Sequence, residues 1–140
     1  MLKPTLFLIT VFATVTAMAQ KISIRKDTVY AGHEKVALFK KTPRPPFAYF
    51  ITTLTGDELI SFHYSHVQEK GKPGYVINFV NDDKQGMLAQ QPGFPTSLVA
   101  ELYKCHLFKN GAIDAKSEAA FLVAHPLPKG YTDTDQLIEY

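Results

Sequence analysis

Residues 47–64 read FAYFITTLTGDELISFHY and carry the clearest structural pattern in the chain. Both arms, residues 47–54 and 59–64, are rich in aromatic and β-branched residues, which favour strands. The link at residues 55–58 contains a glycine, and a connection of about four residues suits a hairpin built around a type I turn. This stretch therefore predicts an antiparallel β-hairpin.

Further strand patterns lie on both sides of this hairpin. The apolar runs are separated by polar turns and lie at residues 22–30, 36–39, 75–80 and 87–89. Residues 42–46 contain three prolines, which lack an N–H donor, so this segment is predicted as a loop or a sheet edge. Together the runs predict an antiparallel meander of about six strands.

A first helix is predicted after residues 91–95, where two prolines and a glycine interrupt the strand pattern. Thr96 or Ser97 can cap this helix, because a side-chain hydroxyl such as that of Ser97 can accept a hydrogen bond from a free N–H of the first helical turn. Asn110 and Gly111 predict the end of the helix, because glycine adopts the left-handed conformation of a C-terminal cap at little cost. The apolar stripe of this helix consists of Leu98, Leu102 and Cys105.

A second helix is predicted from Asp114, whose carboxylate can cap it, to about His125, where Pro126 and Pro128 end it. Residues 129–140 are predicted as a frayed end or one added strand. Strands followed by helices indicate an α+β fold rather than alternating parallel units. The predicted architecture is an antiparallel β-meander of about six strands followed by two helices packed on one sheet face.

The N-terminus has the order of an export signal: a basic residue, an apolar run at residues 6–15, and small residues that end at Ala17 and Ala19. We expect cleavage after Ala19, which leaves a single α+β domain over residues 20–140 in the periplasm or outside the cell. The apolar run is shorter than the roughly 20 residues that span a bilayer. Gln20 also stands where a lipid-anchored bacterial protein has cysteine. A retained membrane anchor is the alternative.

Charge and cysteine content exclude several classes of protein. Loss of the signal removes one of the 15 basic residues, against 13 acidic ones, so the net charge becomes about +1. That balance argues against nucleic acid or anionic lipid as a partner. The single cysteine, Cys105, allows no internal disulfide, so a packed core must stabilise the fold. An intermolecular disulfide through Cys105 stays open.

Two polar pairs are candidate sites. His63 and His66 could ligate a metal, but residues three apart in a strand point to opposite faces. Cys105 and His106 could act as nucleophile and base, but neighbours on a helix point about 100° apart. Cys105 also falls on the apolar stripe, which favours packing. We therefore predict neither a metal nor a cofactor.

The sequence favours no enzyme class. Acidic pairs such as Asp82 and Asp83 fall in turn-like sequence, where side-chain oxygens stabilise the turn itself. The serines lack the Gly-x-Ser-x-Gly context of a strained nucleophile, and the glycines lack the spacing of a phosphate loop.

The aromatic residues Tyr49, Phe62, Tyr64 and Tyr75 are the candidate binding surface. Strand alternation places Phe62 and Tyr64 on one side and Ser61 and His63 on the other. One interpretation is a core beneath the helices, and the other is a binding groove at its margin.

Residues 17–20, which read Ala-Met-Ala-Gln, the opening at residues 22–30 and the hairpin at residues 50–60 resemble small exported proteins of unknown function from Bacteroidota. The resemblance implies a location and brings no catalytic residue with it.

Three hypotheses on function follow. The first is an exported, non-enzymatic binding module for a protein, a glycan or an envelope component. The second is a small hydrolase or metal-dependent enzyme that uses His63, His66 or Cys105. The third is a structural envelope subunit, which would self-associate through an unpaired edge strand.

Overall fold

The structure is a computed structural model that describes residues 21–69, 72–128 and 131, with the side chains of residues 66–69 and 72 outside the description. The predicted signal at residues 1–19 and most of the predicted tail lie outside these residues. The described elements are β1 (Ile22–Arg25), β2 (Thr28–Ala31), β3 (Glu34–Lys41), β4 (Tyr49–Thr52), β5 (Glu58–Glu69), β6 (Lys72–Phe79), β7 (Lys84–Ala89), α1 (Thr96–Lys104), β8 (Phe108–Lys109), β9 (Ala112–Ile113) and α2 (Ala115–Ala124).

Strands β1 to β7 form one sheet in chain order, and each pairs antiparallel with the next. This confirms the predicted α+β fold with an antiparallel meander and two helices. The hairpin of residues 47–64 becomes β4 and the first half of β5. Its turn is closed by the Thr53 N–H, which donates to the Asp57 carbonyl oxygen at 2.8 Å. Gly56 permits the turn because its φ is +101°.

The predicted first strand over residues 22–30 is wrong, because the chain reverses within it. Lys26 and Asp27 have φ values of 48° and 65° and join β1 to β2 as a two-residue hairpin turn. Such turns usually use Asn-Gly or Asp-Gly. Residues 25–28 are all polar and interrupt the alternation after Ile24, but Lys-Asp is not a typical hairpin dipeptide, so the segment was predicted as one strand.

Both predicted signals at the ends of the first helix are also wrong. Helix α1 has no side-chain cap, and the Ser97 hydroxyl oxygen is buried without a hydrogen-bond partner. The helix ends at Lys104, and the left-handed residue after it is His106, with φ 59°. Asn110 and Gly111, with φ 53° and 73°, instead form the turn between β8 and β9. Helix caps and hairpin turns both use positive φ, so this pair fitted either structure.

The second helix begins where the sequence predicted. The Asp114 carboxylate accepts the Ser117 N–H at 3.0 Å and the Ser117 hydroxyl at 2.8 Å. These bonds hold the pKa of Asp114 below its usual value. The helix ends at Ala124, before Pro126, as predicted.

The core lies between the helices and one face of the sheet, which we call the helix face. Cross-strand pairs such as Phe62 with Ile77 and Ile60 with Phe79 place these side chains on this face. The core also contains Leu98, Val99 and Leu102 from α1 and Phe121 from α2. The other face, which we call the polar face, carries Ser61, His63, Ser65 and Asn78. Both helices therefore pack on the same side of the sheet, as the sequence predicted.

Candidate functional site

The four aromatic residues singled out in the sequence lie together on the helix face. The Phe62 ring is fully buried, and its centroid lies 5.3 Å from that of Tyr49. Tyr75 is 8% exposed and forms an edge-on contact with Tyr64 at 5.5 Å. Burial raises the pKa of Tyr75, with smaller contributions from Tyr49 and Tyr64. The proposed aromatic binding surface stays a prediction, and half-buried Tyr49 and Tyr64 are its more accessible members.

Phe94 completes this aromatic cluster and was missed in the sequence. Its ring stacks on Tyr75 at 4.4 Å and meets Tyr49 edge-on at 5.0 Å. Phe94 lies between a glycine and a proline in residues 91–95, so the sequence indicated only a loop. The loop folds back over the sheet and packs its one aromatic side chain into the core.

The polar candidates lie on opposite sides of the sheet. His63 is on the polar face, with its Nε2 atom 3.0 Å from the Tyr131 hydroxyl oxygen. His66 belongs to β5, but its side chain lies outside the described residues. Cys105 follows α1 and packs against the core, and His106 beside it is exposed. The sheet therefore separates His63 from Cys105.

Cys105 has the environment of a packing residue. Burial raises the pKa of its thiol, and the nearby Glu101 carboxylate raises it further, while Lys104 acts in the opposite direction. A raised pKa lowers the fraction of reactive thiolate. Among the described residues, no group of three or more His, Cys, Asp and Glu side chains is arranged to hold a metal ion.

A groove of about 630 Å³ lies at one end of the sheet. It lies between the start of β3, the turn from β4 to β5, and the β8–β9 hairpin with the end of α1. Its apolar wall is formed by Val36, Leu54, Leu59, Tyr103 and Phe108. Small-molecule sites in proteins commonly have volumes of roughly 300–1,000 Å³ and mainly apolar linings. The groove is therefore large enough for a specific ligand.

The groove exists because β3 extends beyond β4. Pairing between these strands starts at Leu38 with Thr52, so the first four residues of β3 reach past the end of β4. After Thr52 the chain turns toward β5, since the Thr53 N–H bonds to Asp57 instead of continuing the β3 ladder. The β8–β9 hairpin stands opposite this gap and closes the other side.

An aromatic pair forms the hairpin side of the groove. The Tyr103 and Phe108 rings lie 4.4 Å apart. Burial raises the pKa of Tyr103 to about 12, so its phenol is neutral at physiological pH. Across the groove, Leu54 is a large apolar side chain with 52% of its surface exposed. A ligand at this position would remove Leu54 from water, which is favourable for an apolar surface.

Polar groups occupy the rim of the groove. They include Glu34, Lys35, Asp57 and Asn110. The Thr53 hydroxyl accepts the Asp57 N–H at 3.1 Å and lies 2.9 Å from the Thr55 hydroxyl, so these groups stabilise the turn. Carboxylates and an amide beside apolar side chains can fix the orientation of a ligand through hydrogen bonds.

The sequence did not reveal this groove because its walls come from three separate segments. Two local signals lie at its edges. Leu54 is an apolar residue directly before a turn, and Asn110-Gly111 is a typical hairpin dipeptide. Neither signal shows that the two segments meet.

Comparison with protein-family models, curated proteins and solved structures gave no significant match. Within the part of the chain that the structure describes, no helix has both the length and the apolar character needed to span a membrane.

Proposed function

We propose that this protein is an exported, non-enzymatic binding module that holds its ligand in the groove between β3, the β4–β5 turn and the β8–β9 hairpin. The observation that carries the proposal is the exposed Leu54 side chain, which faces the Tyr103 and Phe108 pair across about 630 Å³. Buried apolar surface provides most of the affinity in such sites, and the polar rim provides orientation.

The lining also limits the chemistry of the ligand. The rim carries two acidic side chains, Glu34 and Asp57, and one basic side chain, Lys35. It therefore offers hydrogen-bond acceptors without a strong positive potential. A neutral ligand with one apolar face and hydrogen-bond donors along its edge would fit this lining. A glycan and an exposed segment of an envelope protein both have this chemistry.

A binding role is supported by the placement of the reactive side chains. His63 is hydrogen-bonded to Tyr131 on the polar face, and Cys105 packs against the core beyond the helix face. Neither residue lines the groove. A ligand in the groove would therefore meet phenol, carboxylate, amide, ammonium and threonine hydroxyl groups, and neither the His63 imidazole nor the Cys105 thiol.

The test is an NMR screen of the purified protein with neutral oligosaccharides and with short peptides that carry apolar side chains. For a ligand that binds, we expect the largest changes in the protein's amide chemical shifts at Leu54, Tyr103 and Phe108. Leu54→Asn should weaken that ligand at least about tenfold, which corresponds to roughly 1.4 kcal/mol. Val123→Asn is the matched control, since Val123 is 83% exposed on α2 and does not line the groove.

Two results would contradict the proposal. One is a panel in which no compound shifts the groove amides. The other is equal weakening by Leu54→Asn and Val123→Asn. The proposed export is tested separately. Mass spectrometry of the protein isolated from outside the cytoplasm should show a chain that starts at Gln20.

A further inference from the structure

Strand β3 has an open backbone edge where it borders the groove. It pairs with β2 from Glu34 onward, but its pairing with β4 begins only at Leu38. Within the described part of the chain, β2 and β4 are its only neighbours in the sheet. Residues 34–37 therefore have a strand on one side and the groove on the other. A strand with one neighbour presents backbone N–H and C=O groups along its free side.

This open edge has the length of a short strand. Glu34 and Lys35 are exposed and Val36 is half-buried, whereas Ala37, beside the first position that pairs with β4, is 2% exposed. Four residues of a strand extend about 13 Å. Since strands of three residues already occur in sheets, the edge can pair with a segment of roughly three or four residues.

We propose that the ligand of the groove is an extended peptide segment that adds to β3 as a short strand, in the position that a longer β4 would occupy. This inference rests on the proposed function, because it assigns a class of ligand to the same groove. Peptide N–H and C=O groups repeat with the spacing of those on β3, so they can continue its ladder. The hydroxyl groups of a glycan do not repeat at that spacing, so a protein segment is favoured over a glycan.

The walls of the groove define the side chains that such a peptide carries. Successive side chains of a strand point to opposite faces of its sheet, so every second side chain of the peptide would point to the helix face. On that side Tyr103 and Phe108 pack against the core, with their rings 4.4 Å apart. We therefore expect apolar or aromatic residues at alternate positions of the peptide and polar residues between them.

Two features of β3 disfavour a second copy of this protein as the added strand. Lys35 is exposed at the open edge, and Val36 has no opposite residue in β2, so the strand bulges there. Exposed lysines and bulges both keep the edges of folded sheets from joining. The β4–β5 turn and the β8–β9 hairpin also flank the edge. A single flexible segment enters such a groove more easily than the edge of another sheet.

The test is NMR of the full protein with two sets of probes. One set is blocked pentapeptides in which valine or phenylalanine alternates with threonine, and the other is neutral hexasaccharides of glucose or N-acetylglucosamine. For a peptide that binds, we expect nuclear Overhauser effects between its backbone protons and those of residues 34–37, as between neighbouring strands. Binding at Leu54, Tyr103 and Phe108 without these effects overturns the inference.

Methylation of alternate peptide nitrogens provides a matched pair of ligands. An N-methyl group removes a donor and blocks strand pairing on the side to which that nitrogen points. The analogue methylated at nitrogens that face β3 should bind at least about tenfold more weakly than the parent peptide, and the other analogue should bind within about threefold of it. Equal weakening of both analogues, or of neither, overturns strand addition.

The outcomes distinguish this inference from the proposed function. Hexasaccharides that bind at Leu54, Tyr103 and Phe108 while no peptide does would overturn strand addition and leave the groove as a binding site. A concentration-dependent dimer that covers residues 34–37 would overturn strand addition by a peptide in favour of a second copy. If no probe shifts the groove amides, both proposals fail.

Discussion

Replacement of Phe62 by alanine decides whether the aromatic cluster is core or binding surface. The Phe62 side chain is fully buried, and its ring lies 5.3 Å from Tyr49, 6.2 Å from Phe39 and 6.3 Å from Tyr75. Truncation of a buried phenylalanine costs about 3–5 kcal/mol, because it removes apolar contacts and leaves a cavity. Aromatic pairs add about 0.5–1.5 kcal/mol to their buried area, which favours the upper part of that range.

The assay is thermal unfolding followed by circular dichroism. One kcal/mol corresponds to about 4 °C for a domain of this size, so Phe62→Ala should lower the Tm by about 12–20 °C. Val123→Ala is the control, because an exposed substitution changes stability by less than about 0.5 kcal/mol. A Tm within about 2 °C of the wild type for Phe62→Ala would refute the core interpretation.

Three further predictions concern α2 and the free thiol. Gly86→Ala should reduce the free energy of unfolding, measured by urea denaturation, by about 1–3 kcal/mol, since the new Cβ would overlap the His125 carbonyl oxygen and the Phe121 ring. An increase in stability would show that this contact is loose. Asp114→Ala should lower the Tm at pH 7 but have little effect in acid. The pKa of Asp114 is lowered in the folded protein, so the ionised carboxylate stabilises the fold above the ordinary pKa of aspartate, and this stabilisation is lost as the pH falls. An equal loss of Tm at both pH values would count against an ionic cap. Cys105 should react with iodoacetamide more slowly in the folded protein than in urea, because its pKa is raised; equal rates would contradict that environment.

The parts of the fold that the sequence predicted are those set by neighbouring residues. The hairpin at residues 47–64 has β-rich arms and a turn glycine, and α2 has a capping Asp114 and a following proline. The turn at Lys26 and Asp27 could not be predicted in this way. Lysine is unusual at a position with positive φ, and the pairing of β1 with β2 stabilises the turn.

The parts of the site that the sequence did not predict depend on long-range contacts. Leu54 faces Tyr103 only because β3 is longer than β4 and the β8–β9 hairpin stands opposite the gap. The bond between His63 and Tyr131 joins residues 68 positions apart. No local sequence pattern indicates a contact between residues so far apart along the chain.

The most direct test of the proposed function is a crystallographic fragment screen of the purified protein. We expect bound fragments to collect in the groove, with an apolar group between Leu54 and the Tyr103–Phe108 pair and a polar group toward Glu34 or Asp57. Fragments that bind repeatedly around His63 on the polar face, with the groove holding none, would contradict the assignment and favour chemistry on the opposite side of the sheet.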